Sequence, residues 1–157
     1  MPIRSFRGLI ADGGQDIVPL STNNGSTGYR IKKLTIFPNK PGHTTSAESV
    51  VQIFSIQQTT VPTTAATVDF SDQTLLGVAY YQDHVDSAYP GSIDIVFDNM
   101  TFNQDIYITH TSSTTTGVDG DMNYYIELEQ IKLDLNENTV ATLKDIRNIT
   151  QWVNNII

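Results

Sequence analysis

The stretch Asn123-Tyr-Tyr-Ile-Glu-Leu-Glu-Gln-Ile-Lys-Leu-Asp-Leu135 decides the fold class. Tyr124, Ile126 and Leu128 alternate with Tyr125, Glu127 and Glu129, the two-residue period of a strand with one buried and one wet side. The apolar positions then change phase to Ile131, Leu133 and Leu135, as expected of one bent strand that serves two sheets. The same rhythm recurs upstream. Ser92–Asp98 alternates Ile93, Ile95 and Phe97 with Asp94 and Asp98, and the apolar set is expected to point inward. Asp105–His110 alternates again. Tyr29–Phe37 begins with Tyr29 and Ile31, slips at Lys32-Lys33 and resumes with Leu34 and Ile36, which predicts a β-bulge. Glu48–Gln57 reads as a strand with Val50, Phe54 and Ile56 on one side. Val68-Asp-Phe-Ser-Asp72 leads into Thr74–Tyr81, where Gly77 and the β-branched and aromatic residues favour a strand over a short helix. Pro19 cannot donate to a ladder, so Ile17–Leu20 is an edge strand or an extended arm.

The period changes near the end. Val140, Leu143, Ile146, Ile149, Trp152 and Ile156 fall on one helical face, with Asn136 or Asn138 available as an N-cap. Short strands at regular spacing with one terminal helix predict an all-β fold, a β-sandwich or jelly-roll-like body with one C-terminal α-helix. Residues 1–20 would be an extended N-terminal arm or edge strand and residues 21–135 the sandwich. Residues 136–157 would be a helix packed on it or on a neighbour. A length of 157 residues suits one such domain. Twenty Thr, eleven Ser and eleven Asn suit half-solvated strands and polar turns.

Charge is segregated along the chain. Residues 1–40 carry six of the nine basic groups (Arg4, Arg7, Arg30, Lys32, Lys33 and Lys40) and two acids. Residues 41–131 carry twelve acids and no Lys or Arg. Those acids either face water and keep the protein soluble, or meet the basic N-terminal part of another copy head to tail. An acidic balance of −8 argues against nucleic acid and anionic lipid as partners. No apolar run approaches the ~20 residues that span a bilayer, so no membrane partner is expected. The start, Met1-Pro-Ile-Arg-Ser-Phe-Arg7, lacks a hydrophobic leader, so no secretory route is expected.

The absence of cysteine excludes disulfides, thiolate metal sites and Cys nucleophiles. His43, His84 and His110 stand apart, without metal-ligand spacing. Asp119, Asp121 and Asn123 begin like a calcium loop. Tyr124 stands where the loop needs Gly, and Gln130 where it needs Glu, so this set is a weak candidate and no metal is expected. Paired carboxylates occur at Asp83/Asp86, Asp94/Asp98 and Glu127/Glu129, and nothing in the sequence marks a cleft between any pair. No phosphate loop, dinucleotide fingerprint or nucleophile elbow occurs. The expectation is a protein that is not an enzyme and has no cofactor. The tyrosines at 80, 81, 89, 107, 124 and 125 suit half-buried strand positions or a sugar-binding surface.

Several segments together resemble a known kind of protein. Arg7-Gly-Leu-Ile-Ala-Asp-Gly-Gly-Gln-Asp-Ile-Val18, Tyr29-Arg-Ile31, Asp69-Phe-Ser-Asp-Gln-Thr-Leu-Leu76, Met122-Asn-Tyr-Tyr-Ile-Glu-Leu-Glu129 and Thr142-Leu-Lys-Asp-Ile-Arg-Asn148 are similar to small virion proteins of marine tailed bacteriophages, over most of the length. The resemblance implies a structural component located in the virion, foremost a capsid decoration (cement) protein that stabilises the head. The alternatives are a tail or neck component, or a receptor- or carbohydrate-binding module. Its partners would be further copies of itself, the major capsid protein or a tail protein. Arg4, Arg7, Arg30 and Lys32 with Leu143 and Ile146 are the expected contact residues.

Overall fold

The computed structural model describes residues 2–22, 25–41, 47–63, 65–83, 91–97, 100–113 and 120–133. The predicted helix over 136–157, with Leu143 and Ile146, lies outside these residues, as do His43, His84, Asp86, Tyr89, Asp98 and Asp119.

Alternating β-branched and aromatic residues form eight strands among the described residues: β1 (Ile3–Ile10), β2 (Gln15–Val18), β3 (Thr27–Pro38), β4 (Ala47–Phe54), β5 (Leu75–Asp83), β6 (Gly91–Val96), β7 (Ile106–Ser112) and β8 (Met122–Lys132). They make two antiparallel sheets, one of order β1-β8-β3 and one of order β2-β7-β4-β5-β6. Segment 1–20 supplies an edge strand to each sheet, β1 to the first and β2 to the second. The turn between them needs Gly13, whose φ of 77° is costly for a residue with a Cβ.

One apolar core lies between the sheets. Ile31 and Leu34 of β3 and Ile126 and Leu128 of β8 share it with Val51 and Ile53 of β4 and Ile108 of β7, all essentially inaccessible to water. β3 also meets β5 and β6 across the two sheets.

The expected bulge in β3 is present, with the register against β8 shifting between Ile31 and Lys33. The expected bend of β8 between two sheets is not. β8 is the central strand of the smaller sheet and pairs with β1 and β3 along its length. Its change of phase marks the strand's end. The N–H of Leu133 donates to the Ser26 carbonyl at 2.8 Å. The Leu133 side chain covers Gly28, where an added Cβ would stand 2.9 Å from it.

Of two further facing readings, that of β4 keeps Val50 and Phe54 on one side, which is not the core side, and that of β6 is overturned. In β4 the core side is Val51 and Ile53, and Val50 lies on the opposite side with Gln52. That opposite side is also partly buried, because the connector of residues 57–74 crosses it. The Gln52 side chain donates to the Thr67 carbonyl at 3.4 Å, and Thr111 Oγ1 to the Pro62 carbonyl at 2.8 Å. In β6 the alternation is inverted. Ile93 is 61% exposed and Ile95 37%, while Asp94 points to the inner side beside Lys33 of β3. Register explains this. Asp94 pairs with Ala79, and Val96 with Gly77, which stand on the core side, so Ile93 and Ile95 face out beside Tyr80 and Val78. The segment Val68–Asp72, which leads into β5, ends in a turn over Asp69–Asp72.

Candidate functional site

The outer side of the β1-β8-β3 sheet gathers most of the basic groups expected at a contact. Its composition follows from register. Ile3, Glu129 and Arg30 form one cross-strand row; Ser5, Glu127 and Lys33 the next; then Arg7, Tyr125 and Thr35; then Leu9, Asn123 and Phe37. The acids Glu127 and Glu129 of β8 thus stand opposite cations of β3 in the same chain, and cross-strand opposite charges favour that register. Lys32, carried out at the bulge, reaches Glu129 at 3.4 Å. Lys33 lies over the Tyr125 ring at 5.9 Å. Arg30 donates to Thr101 Oγ1 at 3.0 Å. Arg4 faces the other way, lying over the Phe6 ring at 5.5 Å and donating to the Tyr29 hydroxyl at 3.4 Å. Arg7 makes no hydrogen bond or ion pair among the described residues.

The end of this face that holds Arg7 is an open depression of about 510 Å³, lined by Arg7, Leu9, Thr35, Phe37, Asn123 and Tyr125 among others. Leu9 is 49% exposed and Phe37 60%. Beneath it, Tyr124 turns inward past Gly8 and donates to Asp16 Oδ2 of β2 at 2.9 Å, tying the two sheets together. Burial and this bond to a carboxylate push the Tyr124 hydroxyl far above its ordinary range. Gly8 is required by that path, because a Cβ there would stand 2.6 Å from the Tyr124 oxygen.

The remaining titratable groups serve the fold. Burial works upward on Asp105, but hydrogen bonds from the backbone and side chain of Ser21 and the backbone of Leu20 outweigh it and hold the carboxyl low. Burial raises Asp12, against the N–H of Ser112, which donates to it at 2.8 Å. Burial raises Asp94, against the nearby Lys33. His110 is wholly enclosed between the sheets. Its Nδ1–H donates to the Ile10 carbonyl at 3.1 Å, and its Nε2 has no partner among the described residues. Burial lowers its pKa, opposed by contacts with Ala11, Asp12, Ile10 and Asp121.

Of the weak calcium set, Asn123 lies in the depression, away from the sheet's inner side, and Asp121 precedes β8 on the side of His110. Among the described residues no group of three acids and histidines could hold a metal ion. Leu9, Thr35 and Phe37 were not singled out by the sequence, whereas Lys33 was named among the basic groups and Tyr125 among the tyrosines of a sugar-binding surface. The signal for Leu9, Thr35 and Phe37 is parity: each stands an even number of residues from Arg7 or another outward residue of its own strand.

The chain matches no protein-family model and no curated protein.

Proposed function

We propose that the chain is a non-enzymatic structural protein of a tailed-bacteriophage virion, a capsid decoration protein that cements the head. The observation that carries this reading is the winding of the strands. A jelly roll is a long antiparallel hairpin rolled on itself, in which the first strand pairs with the eighth, the second with the seventh, the third with the sixth and the fourth with the fifth. Here β1 pairs with β8, β2 with β7 and β4 with β5. The third pairing departs from the pattern: β6 hydrogen-bonds to β5, and β3 only comes close to it across the two sheets. We therefore read the two sheets as a jelly-roll β-sandwich, with the segment after Leu133 as its helix. Viral capsid and lectin domains use this architecture.

A fold hosts many functions, so the surface must carry the rest. The basic and apolar outer face of the smaller sheet supports docking on a shell or a neighbouring copy. Its apolar residues supply the hold, and Arg7, Arg30 and Lys32 bias approach to an acidic partner, whereas Arg4 stands on the other side of β1. A tail or neck position would use the same face. The carbohydrate-binding reading has one observation in its favour, the grouping of Phe37, Tyr125 and Asn123 in one depression.

The test is co-sedimentation of the purified protein with phage shells assembled without it, across a salt series. Saturable binding that weakens with salt is expected, and replacing Arg7 and Arg30 with Ser should flatten the salt slope. Failure to bind heads, accompanied by binding to tails, would move the protein to the tail. Failure on both, with binding to a polysaccharide, would replace the structural reading with the carbohydrate one.

A further inference from the structure

A second exposed apolar feature lies on the opposite side of the molecule. The connector over the outer side of the five-stranded sheet presents Val68, 40% exposed, and Phe70, 54% exposed. Phe70 sits at the tip of a tight turn in which the Asp72 N–H donates to the Asp69 carbonyl at 3.1 Å. Asp69 Oδ1 accepts from the backbone N–H and the hydroxyl of Ser71 at 2.9 and 2.6 Å. Asp72 Oδ1 does the same for Thr74 at 2.9 and 2.7 Å. One edge of the Phe70 ring meets Phe97 at 5.4 Å. The turn therefore holds an aromatic ring in a fixed outward pose between two carboxylates, so little ordering remains to be done on binding.

We infer that this turn is a knob that seats in the depression on the opposite face of a second copy of the chain, placing Phe70 against Leu9, Phe37 and Tyr125 and its carboxylates near Arg7. Charge selects this pairing over the others. Two knobs facing each other would bring together Asp69 and Asp72 of both copies. Two depressions would bring together Arg7 of both. Only knob against depression sets acid against base, and like-charge juxtaposition costs several kcal/mol while opposite charge steers. The depression, at about 510 Å³, has room for one aromatic ring and its neighbours. Knob and depression lie on opposite sides of one molecule, so the contact is heterologous. It propagates into a ring or a filament instead of stopping at a two-fold dimer. The inference deepens the assembly reading above and rests on the same face, but its test needs no shell, so the two fail separately.

The experiment is light scattering with size-exclusion chromatography on the full chain at rising concentration. Wild type should form a concentration-dependent series larger than a dimer. Phe70→Ser removes the knob and Phe37→Ser one wall of the depression. Both side chains are exposed, so both variants should fold, and each alone should lose association by about thirtyfold or more, as expected of a central aromatic anchor. Mixed together, they retain one intact interface between them and should form a one-to-one dimer that grows no further. Arg7→Glu should weaken association, and Asp69→Lys in the same chain should restore part of it. A wild type that stays monomeric throughout, a mixture that stays monomeric, or a symmetric dimer surviving in either single variant would each overturn the inference.

Discussion

In β8 the side chains of Met122, Tyr124, Ile126 and Leu128 lie between the two sheets, whereas in β6 Ile93 and Ile95 face outward and Asp94 takes the inner side. The two strands share one period and differ in position. β8 is flanked on both sides, by β1 and β3, so its inner side is closed in every direction. β6 is an edge strand, hydrogen-bonded among the described residues to β5 alone, and Asp94 on its inner side stays exposed at the rim of the core. An inward-pointing charge on an edge strand is also a known way to discourage unwanted strand pairing. Alternation therefore separates two sides of a strand. Which side becomes core is decided by what lies above it.

The largest effect that sharpens this contrast is cavity formation. Ile126→Ala should destabilise the protein by about 2–5 kcal/mol, while Ile93→Ala should stay within about 0.5 kcal/mol. Urea unfolding of the pair measures both, and equal losses would remove the distinction between the strands. The next effect probes the inner side of β8. Tyr124→Phe removes the hydroxyl bond to Asp16 and should cost about 1–2 kcal/mol. Gly8→Ala pushes on the same ring, so the double variant should lose less than the two single losses added together. Additive losses would mean that Gly8 and Tyr124 act independently.

A third effect comes from His110, enclosed on β7 under the same core. Its pKa is lowered in the folded state, so the unfolded chain binds a proton that the folded chain resists. Stability is then full above the unfolded value of about 6.5 and falls as pH drops below it, by at most about 1.4 kcal/mol per pH unit. Asp12 and Asp94, raised by burial, act with the opposite sign from above the ordinary carboxylate value downward, so they offset His110 at the acid end of its window. Thermal melts between neutral pH and the upper carboxylate range should show the decline, and His110→Gln should flatten its slope. An unchanged slope in that variant would assign the decline to other groups. The smallest effect lies on the wet side of β8. Lys32→Ser breaks a partly exposed pair with Glu129 and should cost no more than about 1 kcal/mol, less in high salt. A larger, salt-insensitive loss would mean that the outer face is closed off from water.

By itself, the sequence determined the strand content, the bulge at Lys32-Lys33 and the segregation of charge. Each is a local matter of side-chain period or count along the chain. It also marked Arg4, Arg7, Arg30 and Lys32 as part of a basic N-terminal stretch. Only the tertiary structure decided where they went, because pairing of β8 with β1 and β3 brings residues about a hundred positions apart into single rows. That pairing set Glu127 and Glu129 against cations of the same chain, put Leu9 and Phe37 beside Arg7, and turned Ile93 and Ile95 outward. Period is written into neighbouring residues, but the identity of the face above a strand depends on which distant segments pair. No local pattern encodes that choice.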